Sequence, residues 1–191
     1  MPELPEVEAI RQVLEPQVQG LTIQDIGVHR PEIIAHPSAG EFCGRFMGQT
    51  FDRAERRGKF LLFWFESGDH MVLHLRMTGC LLITPADMPE EKHTHLVFRL
   101  SNGRELRFSD TRRFGRFWLI ANGEADPYSG IEKLGVEPLA SECSAEYLRD
   151  RLGKRKMYQY HPHDQGKAQK GNKGMLTGSE HRRRHRQYLF G

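Results

Sequence analysis

The pattern of hydrophobic and polar residues divides the chain into two parts. In the first part, apolar residues recur at helical spacing within residues 5–19, at Val7, Ile10, Val13 and Leu14, and Gly20 supplies a stop. Two more helices are predicted, over residues 38–48 and 144–152. Short strands separated by turns are predicted at 21–29, 50–55, 59–65, 71–77, 81–84, 95–100, 105–109 and 116–121. Many short strands without an alternating strand–helix rhythm favour a mostly β protein with flanking helices (α+β), built as an antiparallel sandwich or barrel.

Beyond residue 155 this pattern disappears. Among residues 161–187 the only aliphatic or aromatic side chains are Ala168, Met175 and Leu176, and no period of a helix or a strand is present. We therefore predict a folded domain over residues 1–152 and a disordered basic tail over residues 153–191.

The two parts also differ in charge. The chain of 191 residues carries a formal net charge of +3, but residues 1–150 sum to −6 and residues 151–191 to +9. A basic tail of this kind is typical of a solvated segment or of a nonspecific nucleic-acid-binding arm. With 38% hydrophobic residues the chain can bury a core, which excludes disorder throughout.

The composition excludes several other classes of protein. No apolar run approaches the ~20 residues of a membrane span, and the N-terminus is too acidic for a signal peptide. The three cysteines, Cys43, Cys80 and Cys143, lie far apart and form neither a zinc pattern nor a disulfide framework. We therefore expect a cytosolic protein that contacts no membrane and uses no metal or other cofactor.

The N-terminus, Met-Pro-Glu-Leu-Pro-Glu, is the first candidate for chemistry. Removal of Met1 would leave Pro2 with a secondary amine, which belongs to the α-amino class that titrates near neutral pH. Such an amine can attack an electrophilic carbon, with Glu3 or Glu6 as general acid or base. The alternative is helix capping, with Pro5 in the first turn and the acidic residues near the positive helix end.

Three further motifs place cations beside turns. In ERRGKFL a turn presents Lys59, which suits a phosphate contact, although a solvated strand edge would look the same. In HLRMTG, alternation places His74 and Arg76 on one face, and Met77 precedes a glycine turn from which it can protrude. In DTRRFGRF, arginines flank an aromatic residue in a loop, which suits base stacking, although a buried Phe114 and a paired Arg113 would be unremarkable.

Together and in this order, the motifs MPELPEVE, ERRGKFL, HLRMTG, DTRRFGRF and LGVEPLA resemble the formamidopyrimidine-DNA glycosylase family. The resemblance covers about residues 1–150 and corresponds to that family's N-terminal domain. It implies a two-layered antiparallel β-sandwich flanked by helices. It also implies a bifunctional DNA glycosylase and AP lyase that excises oxidised purines, such as 8-oxoguanine and formamidopyrimidines, from duplex DNA in base-excision repair. We expect a monomer in the bacterial cytoplasm, associated with the nucleoid.

The resemblance also implies catalytic roles. Pro2 would be the nucleophile that attacks C1′ of the damaged nucleoside, and Glu3 would be the acid that protonates the opening sugar. Glu6 would support the pocket, and Lys59 matches the family's hairpin lysine. The Schiff base would then drive elimination of both flanking phosphates (β,δ-elimination).

The remaining residues would bind DNA. His74 would join Lys59 in holding the phosphates that flank the lesion. Met77, Arg112 and Phe114 match the residues that fill the gap left by a flipped-out base, with Arg112 facing the orphaned cytosine. The cations that the acidic domain needs would thus be concentrated locally, at Lys59, His74, Arg76, Arg112 and Arg113.

The resemblance ends after residue 150. The family continues with a helix–two-turn–helix segment and a four-cysteine zinc finger, but this chain has no Cys-x-x-Cys, so we expect the zinc finger to be absent. Its last residues, RHRQYLFG, can be encoded by codons that read, one nucleotide later, as Gly-Ile-Gly-Asn-Ile-Tyr-Leu, a stretch the family carries there. We therefore predict that the tail is a frameshifted remnant of the helical domain, with a genuine basic extension as the alternative.

Three functions remain open from the sequence. The first is the DNA glycosylase and AP lyase of the resemblance, impaired in this chain by truncation. The second is a truncated, non-catalytic fragment that binds DNA weakly and nonspecifically through its basic tail. The third is a tautomerase-like enzyme that uses an N-terminal proline on small molecules, which leaves the arginine–phenylalanine loop unexplained.

Overall fold

The computed structural model describes residues 2–153. Its helices are Leu4–Val18 (α1), Ala39–Phe46 (α2) and Ala145–Gly153 (α3), and short 3₁₀ turns lie at Pro31–Ile33 and Ile131–Lys133. Its strands are Ile23–Val28 (β1), Ile34–His36 (β2), Phe51–Arg57 (β3), Phe60–Phe65 (β4), His70–His74 (β5), Gly79–Pro85 (β6), Thr94–Leu100 (β7), Arg104–Asp110 (β8) and Arg116–Ile120 (β9). The mostly β fold with flanking helices is therefore confirmed.

The strands form two sheets. A four-stranded sheet has the order β1-β7-β8-β6, and a five-stranded sheet has the order β2-β9-β5-β4-β3. Every pairing is antiparallel except that of β2 with β9, which is parallel. This one parallel pair departs from the otherwise antiparallel sandwich that the sequence predicts. Strand β2 was not predicted because three residues after a 3₁₀ turn are too few to show a period of two.

An aromatic core joins the two sheets. The ring of Phe42, from α2, lies 6.4 Å from the ring of Phe98 in the four-stranded sheet and 6.3 Å from that of Phe117 in the five-stranded sheet. Phe42 and Phe46, which sit four residues apart on α2, are both fully buried. Burial of large side chains from both sheets and one helix is the main contribution to the stability of this domain.

Helix α1 packs its apolar face on the sandwich. Val7 and Leu14, two of the four residues that predicted this element, are buried, and so is Val18. Val13 remains 61% exposed and, with Leu82 on β6, borders an apolar groove of about 420 Å³ between α1 and β6.

Helix α3 belongs to a second compact unit that begins after Ser144. In α3, the guanidinium of Arg151 lies over the ring of Tyr147, 5.5 Å from its centre. The predicted tail falls almost entirely on residues 154–191, which lie outside the described residues, so the tail and frameshift predictions stay predictions. Within residues 2–153, no helix is long and apolar enough to cross a membrane.

Candidate functional site

Three neighbouring strands of the five-stranded sheet, β4, β5 and β9, begin or end side by side, and the row of their termini forms one edge of the sheet. In the register of β4, β5 and β9, Phe60 pairs with His74, and His74 pairs with Arg116. The turn before Phe60 carries Lys59, the loop after His74 carries residues 76–78, and the loop before Arg116 carries residues 111–115. The register therefore brings three of the sequence motifs to the same edge of the sheet.

The N-terminal motif forms the start of α1. Glu3 is the N-cap in an extended conformation, and its backbone N–H donates a hydrogen bond to the Glu6 carboxylate. Pro5 lies in the first turn. The capping interpretation is therefore confirmed as a capping box, in which the Glu3 side chain also accepts from the backbone N–H of Glu6 while it stays 60% exposed. Pro2 is partly buried next to it.

Lys59 links the N-terminal motif to the sheet edge. Its Nζ lies 2.6 Å from Oε2 of Glu3, and about a third of its side chain is exposed. Lys59 is thus an ion-pair partner rather than a freely solvated residue at a strand edge. Its ammonium group lies against the residue that follows Pro2, so the hairpin lysine and the candidate nucleophile belong to one site.

His74 is buried at this edge and uncharged. Its ring packs edge-on against Phe60, with the ring centres 4.6 Å apart, and its Nδ1 accepts a hydrogen bond of 2.9 Å from the backbone N–H of Arg76. Burial, and then the positive charges of Arg76 and Lys59, lower the pKa of His74 to about 4. Near neutral pH the ring of His74 is therefore neutral in the structure, and its role in DNA binding stays a prediction. Since Nδ1 is an acceptor, the proton of the neutral ring is on Nε2, which can still donate to a phosphate.

The loop after His74 leaves the strand earlier than predicted. Strand β5 ends at His74, and Arg76 has a φ of 57°, which is rare for a residue other than glycine. Arg76 is therefore in a turn and exposed. Met77 is 43% exposed, as expected for an apolar side chain that protrudes before a glycine turn.

The loop between β8 and β9 meets the first loop through its side chains. Arg112 donates from Nη1 to Sδ of Met77 at 2.9 Å, and its guanidinium carbon lies 4.9 Å from the centre of the Phe114 ring. Phe114 is 47% exposed, so it is not the buried core residue of the alternative interpretation. The backbone of Arg113 has a φ of 59°, and its carbonyl accepts a hydrogen bond of 2.8 Å from Arg116.

Asp110 holds these two loops together, and the sequence reasoning did not single it out. Its carboxylate accepts hydrogen bonds from the hydroxyl of Thr78, from the backbone N–H of Arg112 at 3.1 Å and from that of Gly115 at 2.8 Å. Burial alone would raise the pKa of Asp110, but these hydrogen bonds outweigh it and the pKa is lowered. The bond to Arg112 is that of an Asx turn, which the sequence Asp-Thr-Arg could have suggested.

The edge can accommodate both an apolar group and an anion. Arg76, Met77, Phe114 and Arg116 line an open cavity of about 420 Å³. Two exposed apolar side chains beside several guanidinium groups can stack on bases and contact phosphates. The sequence motif at residues 134–140 remains without a predicted role.

The described residues do not provide a metal site. Within residues 2–153, no three side chains of histidine, cysteine, aspartate or glutamate are grouped so that they could hold a metal ion. They therefore do not fit a zinc finger of four cysteines, and no step of the chemistry is assigned to zinc.

Residues 1–117 match the family described as formamidopyrimidine-DNA glycosylase N-terminal domain. The chain belongs to the formamidopyrimidine-DNA glycosylase family. Its similarity to members of this family extends beyond the matched domain. The chain is 45% identical over 157 residues to the formamidopyrimidine-DNA glycosylase of Desulforamulus reducens, a match that covers 82% of this chain and 57% of that relative.

A second relative shows a similar identity and a similar coverage of both chains. The chain is 43% identical over 157 residues to the formamidopyrimidine-DNA glycosylase of Bacillus subtilis, which covers 81% of this chain and 56% of that protein. The chain therefore spans a little more than half the length of these members of the family.

Solved structures of the family share the fold. One is the Lactococcus lactis formamidopyrimidine-DNA glycosylase bound to DNA that contains an AP site, at a TM-score of 0.73 and 32% identity. That match covers 79% of this chain and 57% of the other. Another is the same Lactococcus lactis protein in complex with DNA containing Fapy-dG, at a TM-score of 0.73 and 33% identity over 80% of this chain and 57% of the other.

Proposed function

We propose that this chain supplies the catalytic half of a bifunctional DNA glycosylase and AP lyase that excises oxidised purines, such as 8-oxoguanine and formamidopyrimidines, from duplex DNA. The observation that carries this proposal is the ion pair between Lys59 and Glu3, which joins the Pro2 terminus to the sheet edge bearing the exposed Met77 and Phe114. Membership of the family and its solved complexes with damaged DNA support the same assignment.

The proposed reaction begins at Pro2. After removal of Met1, its secondary amine attacks C1′ of the damaged nucleoside, the bond from C1′ to the base breaks, and the base leaves with the electron pair and takes a proton from water. The Glu3 carboxylate, paired with Lys59, then takes the proton of the new C1′–N ammonium. Glu3 protonates the ring oxygen as the sugar opens, and an iminium forms between Pro2 and C1′. Glu6 supports this step because its hydrogen bond to the backbone N–H of Glu3 fixes the start of α1.

The iminium makes strand cleavage possible. It acidifies the adjacent C2′ proton, whose removal expels the 3′ phosphate, and a second elimination expels the 5′ phosphate. Lys59 and the Nε2–H of neutral His74 would hold these phosphates, with Arg76 and Arg113 as further cations at the same edge. Lys59 thus serves both the catalytic group and the DNA backbone.

The exposed side chains of the two loops would replace the flipped base. Met77 and Phe114 offer apolar surface to the neighbouring bases, and Arg112, held between them, offers hydrogen-bond donors to the orphaned cytosine. Flipping costs a few kcal/mol, which inserted apolar side chains and a cation can offset.

The partner in this proposal is double-stranded DNA with an oxidised base, bound by a monomer in the bacterial cytoplasm at the nucleoid. The chain spans just over half of the Desulforamulus relative, and a polypeptide limited to these 191 residues would make fewer phosphate contacts than a full-length member. Its activity would be impaired accordingly. The alternative is a non-catalytic fragment that retains only weak, nonspecific DNA binding.

Covalent trapping with borohydride separates these possibilities. The chain is mixed in excess with a duplex containing an abasic site or 8-oxoguanine, and any iminium is reduced to a stable protein–DNA adduct. We expect an adduct of low yield whose cross-link maps by mass spectrometry to the N-terminal amine of Pro2, both in the parent chain and in Pro5→Ala, the matched control within the same turn. A cross-link on a lysine side chain would contradict the assignment of the nucleophile, and no adduct on either duplex would favour the non-catalytic fragment. Turnover of a small keto acid independent of salt would instead favour a tautomerase-like enzyme.

A further inference from the structure

Glu137, in the segment after β9, lies against the turn between β3 and β4. Its Oε1 accepts hydrogen bonds from the backbone N–H of Gly58 at 2.6 Å and from Nη1 of Arg57 at 3.1 Å, and its Oε2 accepts one from Nη1 of Arg56 at 2.7 Å. Only 22% of the Glu137 side chain is exposed. One carboxylate therefore binds three consecutive residues of the turn that presents Lys59.

Besides Glu137, the turn is held by Arg57, which donates hydrogen bonds to the carbonyls of Leu134 and Gly135, and by contacts of Arg56. Gly58 has a φ of 57°, and the pairing of Arg57 with Phe60 leaves only Gly58 and Lys59 to close the hairpin. Arg56 donates to the carbonyl of Gly58 at 3.1 Å from the same nitrogen that binds Glu137. The Glu137 carboxylate thus accepts hydrogen bonds from both arginine side chains and from the backbone of the turn.

The charge balance agrees with this arrangement. Burial alone would raise the pKa of Glu137, but the hydrogen bonds from Gly58 and the arginines outweigh it, and the pKa is lowered. The Glu137 carboxylate also offsets the positive charge of the two guanidinium groups in a partly buried place. Replacing Glu137 by a neutral residue would leave Arg56 and Arg57 with an excess of positive charge beside Lys59.

The same network reaches helix α1. Arg56 also donates from Nε to Oε2 of Glu8 at 3.1 Å, and Glu8 is paired with Arg11 at 2.7 Å. The hydrogen bond from Arg11, against the opposing effect of burial, lowers the pKa of Glu8 to about 2. The turn is therefore bound to Glu137 on one side and, through Arg56, to helix α1 on the other, and the N-cap of α1 is Glu3, which follows Pro2.

We propose that Glu137 is a positioning residue that holds Lys59 against Glu3 and so keeps the hairpin lysine beside the nucleophile. This inference rests on the proposed function for its catalytic consequence, but its structural content does not depend on activity. The hydrogen bonds of Glu137 go to Arg56, Arg57 and Gly58, so Glu137 acts on Lys59 through the turn. It also gives the motif at residues 134–140 a role.

The experiment compares Glu137→Gln with Glu142→Gln in the full chain. Glutamine keeps the size of the side chain but carries no charge, and Glu142 is an exposed glutamate whose side chain bonds to Ser141. The first readout needs no DNA: the rate at which acetic anhydride acetylates Lys59, followed by mass spectrometry, with exposed Lys92 as the internal standard. We expect Glu137→Gln to raise the Lys59 rate about two- to fivefold, the factor that an ion pair of this exposure supplies. Glu142→Gln should leave it unchanged.

The second readout is the rate of borohydride trapping on a duplex with an abasic site. We expect it to fall about tenfold in Glu137→Gln and DNA affinity to fall by a smaller factor, because the displaced Lys59 is only one of several phosphate contacts but lies beside the nucleophile. Glu137→Asp, which keeps the charge, should restore part of the rate. A purely structural role would lower the folded fraction and leave these ratios per folded molecule at the wild-type value.

The outcomes separate the two proposals. If Lys59 acetylation rises in Glu137→Gln but the parent chain forms no adduct, the positioning stands and the proposed function fails. If Lys59 acetylation in folded Glu137→Gln equals that of the parent, the positioning role is overturned. Should Glu137→Gln fail to fold, Arg57→Ala is the second variant, because the Arg57 side chain is one third exposed and makes one of the three contacts with Glu137. We expect Arg57→Ala to raise Lys59 acetylation in the same direction by a smaller factor.

Discussion

The hydroxyl of Thr78 donates a hydrogen bond to the carboxylate of Asp110, across 32 residues of sequence. This contact joins the loop that carries Met77 to the loop that carries Arg112 and Phe114. Asp110 is only 1% exposed, so its charge is neutralised by hydrogen bonds rather than by water. The spacing of the two loops at the sheet edge therefore depends on one buried carboxylate.

We expect Asp110→Asn to destabilise the domain by about 1–3 kcal/mol. The NH2 group of asparagine would face N–H or O–H donors at a position where the carboxylate oxygen accepts their hydrogen bonds. Urea unfolding measures this loss. Hydrogen exchange of the backbone amides of Arg112 and Gly115 should accelerate in the variant, since both donate to Asp110. Asp87→Asn, at an exposed position, is the control, and an equal effect of the two substitutions would contradict the role of Asp110.

Two glycine-to-alanine substitutions should act in opposite directions. A Cβ on Gly115 would lie 2.4 Å from Cζ of the buried Phe108, whereas a Cβ on Gly44 in α2 would meet nothing within 4 Å. We expect Gly115→Ala to lower the free energy of unfolding by about 1–3 kcal/mol through overpacking. Gly44→Ala should raise it by about 0.5–1 kcal/mol, because alanine loses less backbone entropy in a helix. Thermal unfolding distinguishes the two, and shifts of the same sign would contradict the packing around Gly115.

His74 should make the stability of the domain depend on pH below neutrality. Its pKa falls from an ordinary value near 6.5 to about 4 in the folded state. Between these values the unfolded chain binds the proton more readily, so this contribution is complete above pH 6.5 and is lost as the pH falls towards 4. The full shift corresponds to roughly 3 kcal/mol.

The measurement is the free energy of unfolding of the parent and of His74→Gln from pH 7 to pH 4. The difference between the two should change across this window, because glutamine does not titrate. His29→Gln, at an exposed histidine paired with Glu90, serves as the control. A constant difference between the parent and His74→Gln would show that His74 is not held neutral by burial.

Met77 and Phe114 should affect DNA binding far more than folding. Both side chains are about half exposed, so Met77→Ala and Phe114→Ala should change the free energy of unfolding by less than about 0.5 kcal/mol. Loss of stacking should weaken binding to a duplex with an abasic site about tenfold. Fluorescence anisotropy measures the affinity, and Met88→Ala, at another exposed methionine, should leave it unchanged. Unaltered affinity in Phe114→Ala would remove this residue from the interface.

Hydrophobic periodicity predicted the long elements because each buries a regular face. Helix α1 and eight of the nine described strands were found close to their predicted positions. Hydrophobic periodicity could not predict that both faces of β5 are buried. A second cluster, formed by Phe60, Leu62, Val72, Trp118 and Ile120, covers the outer face of the five-stranded sheet. His74 lies on that covered face, so its neutral state followed from packing that alternation along one strand cannot reveal.

The motifs identified the candidate residues, but not the contacts that arrange them. Gly58 and Glu137 are 79 residues apart in sequence, and their hydrogen bond exists only because the chain folds back over the β3–β4 turn. Loop-to-loop contacts of this kind carry no periodic signal, since they depend on sheet register and chain path. The pairing of Lys59 with Glu3 could be anticipated only from the family resemblance.

The positive φ angles of Arg76 and Arg113 have a consequence for any ligand of this edge. Neither residue would hold such a conformation alone, so both depend on the hydrogen bonds that surround them. The backbone entropy of the two loops is therefore lost while the domain folds. A ligand that arrives later meets side chains already displayed on an ordered backbone, and its association needs little rearrangement of the protein.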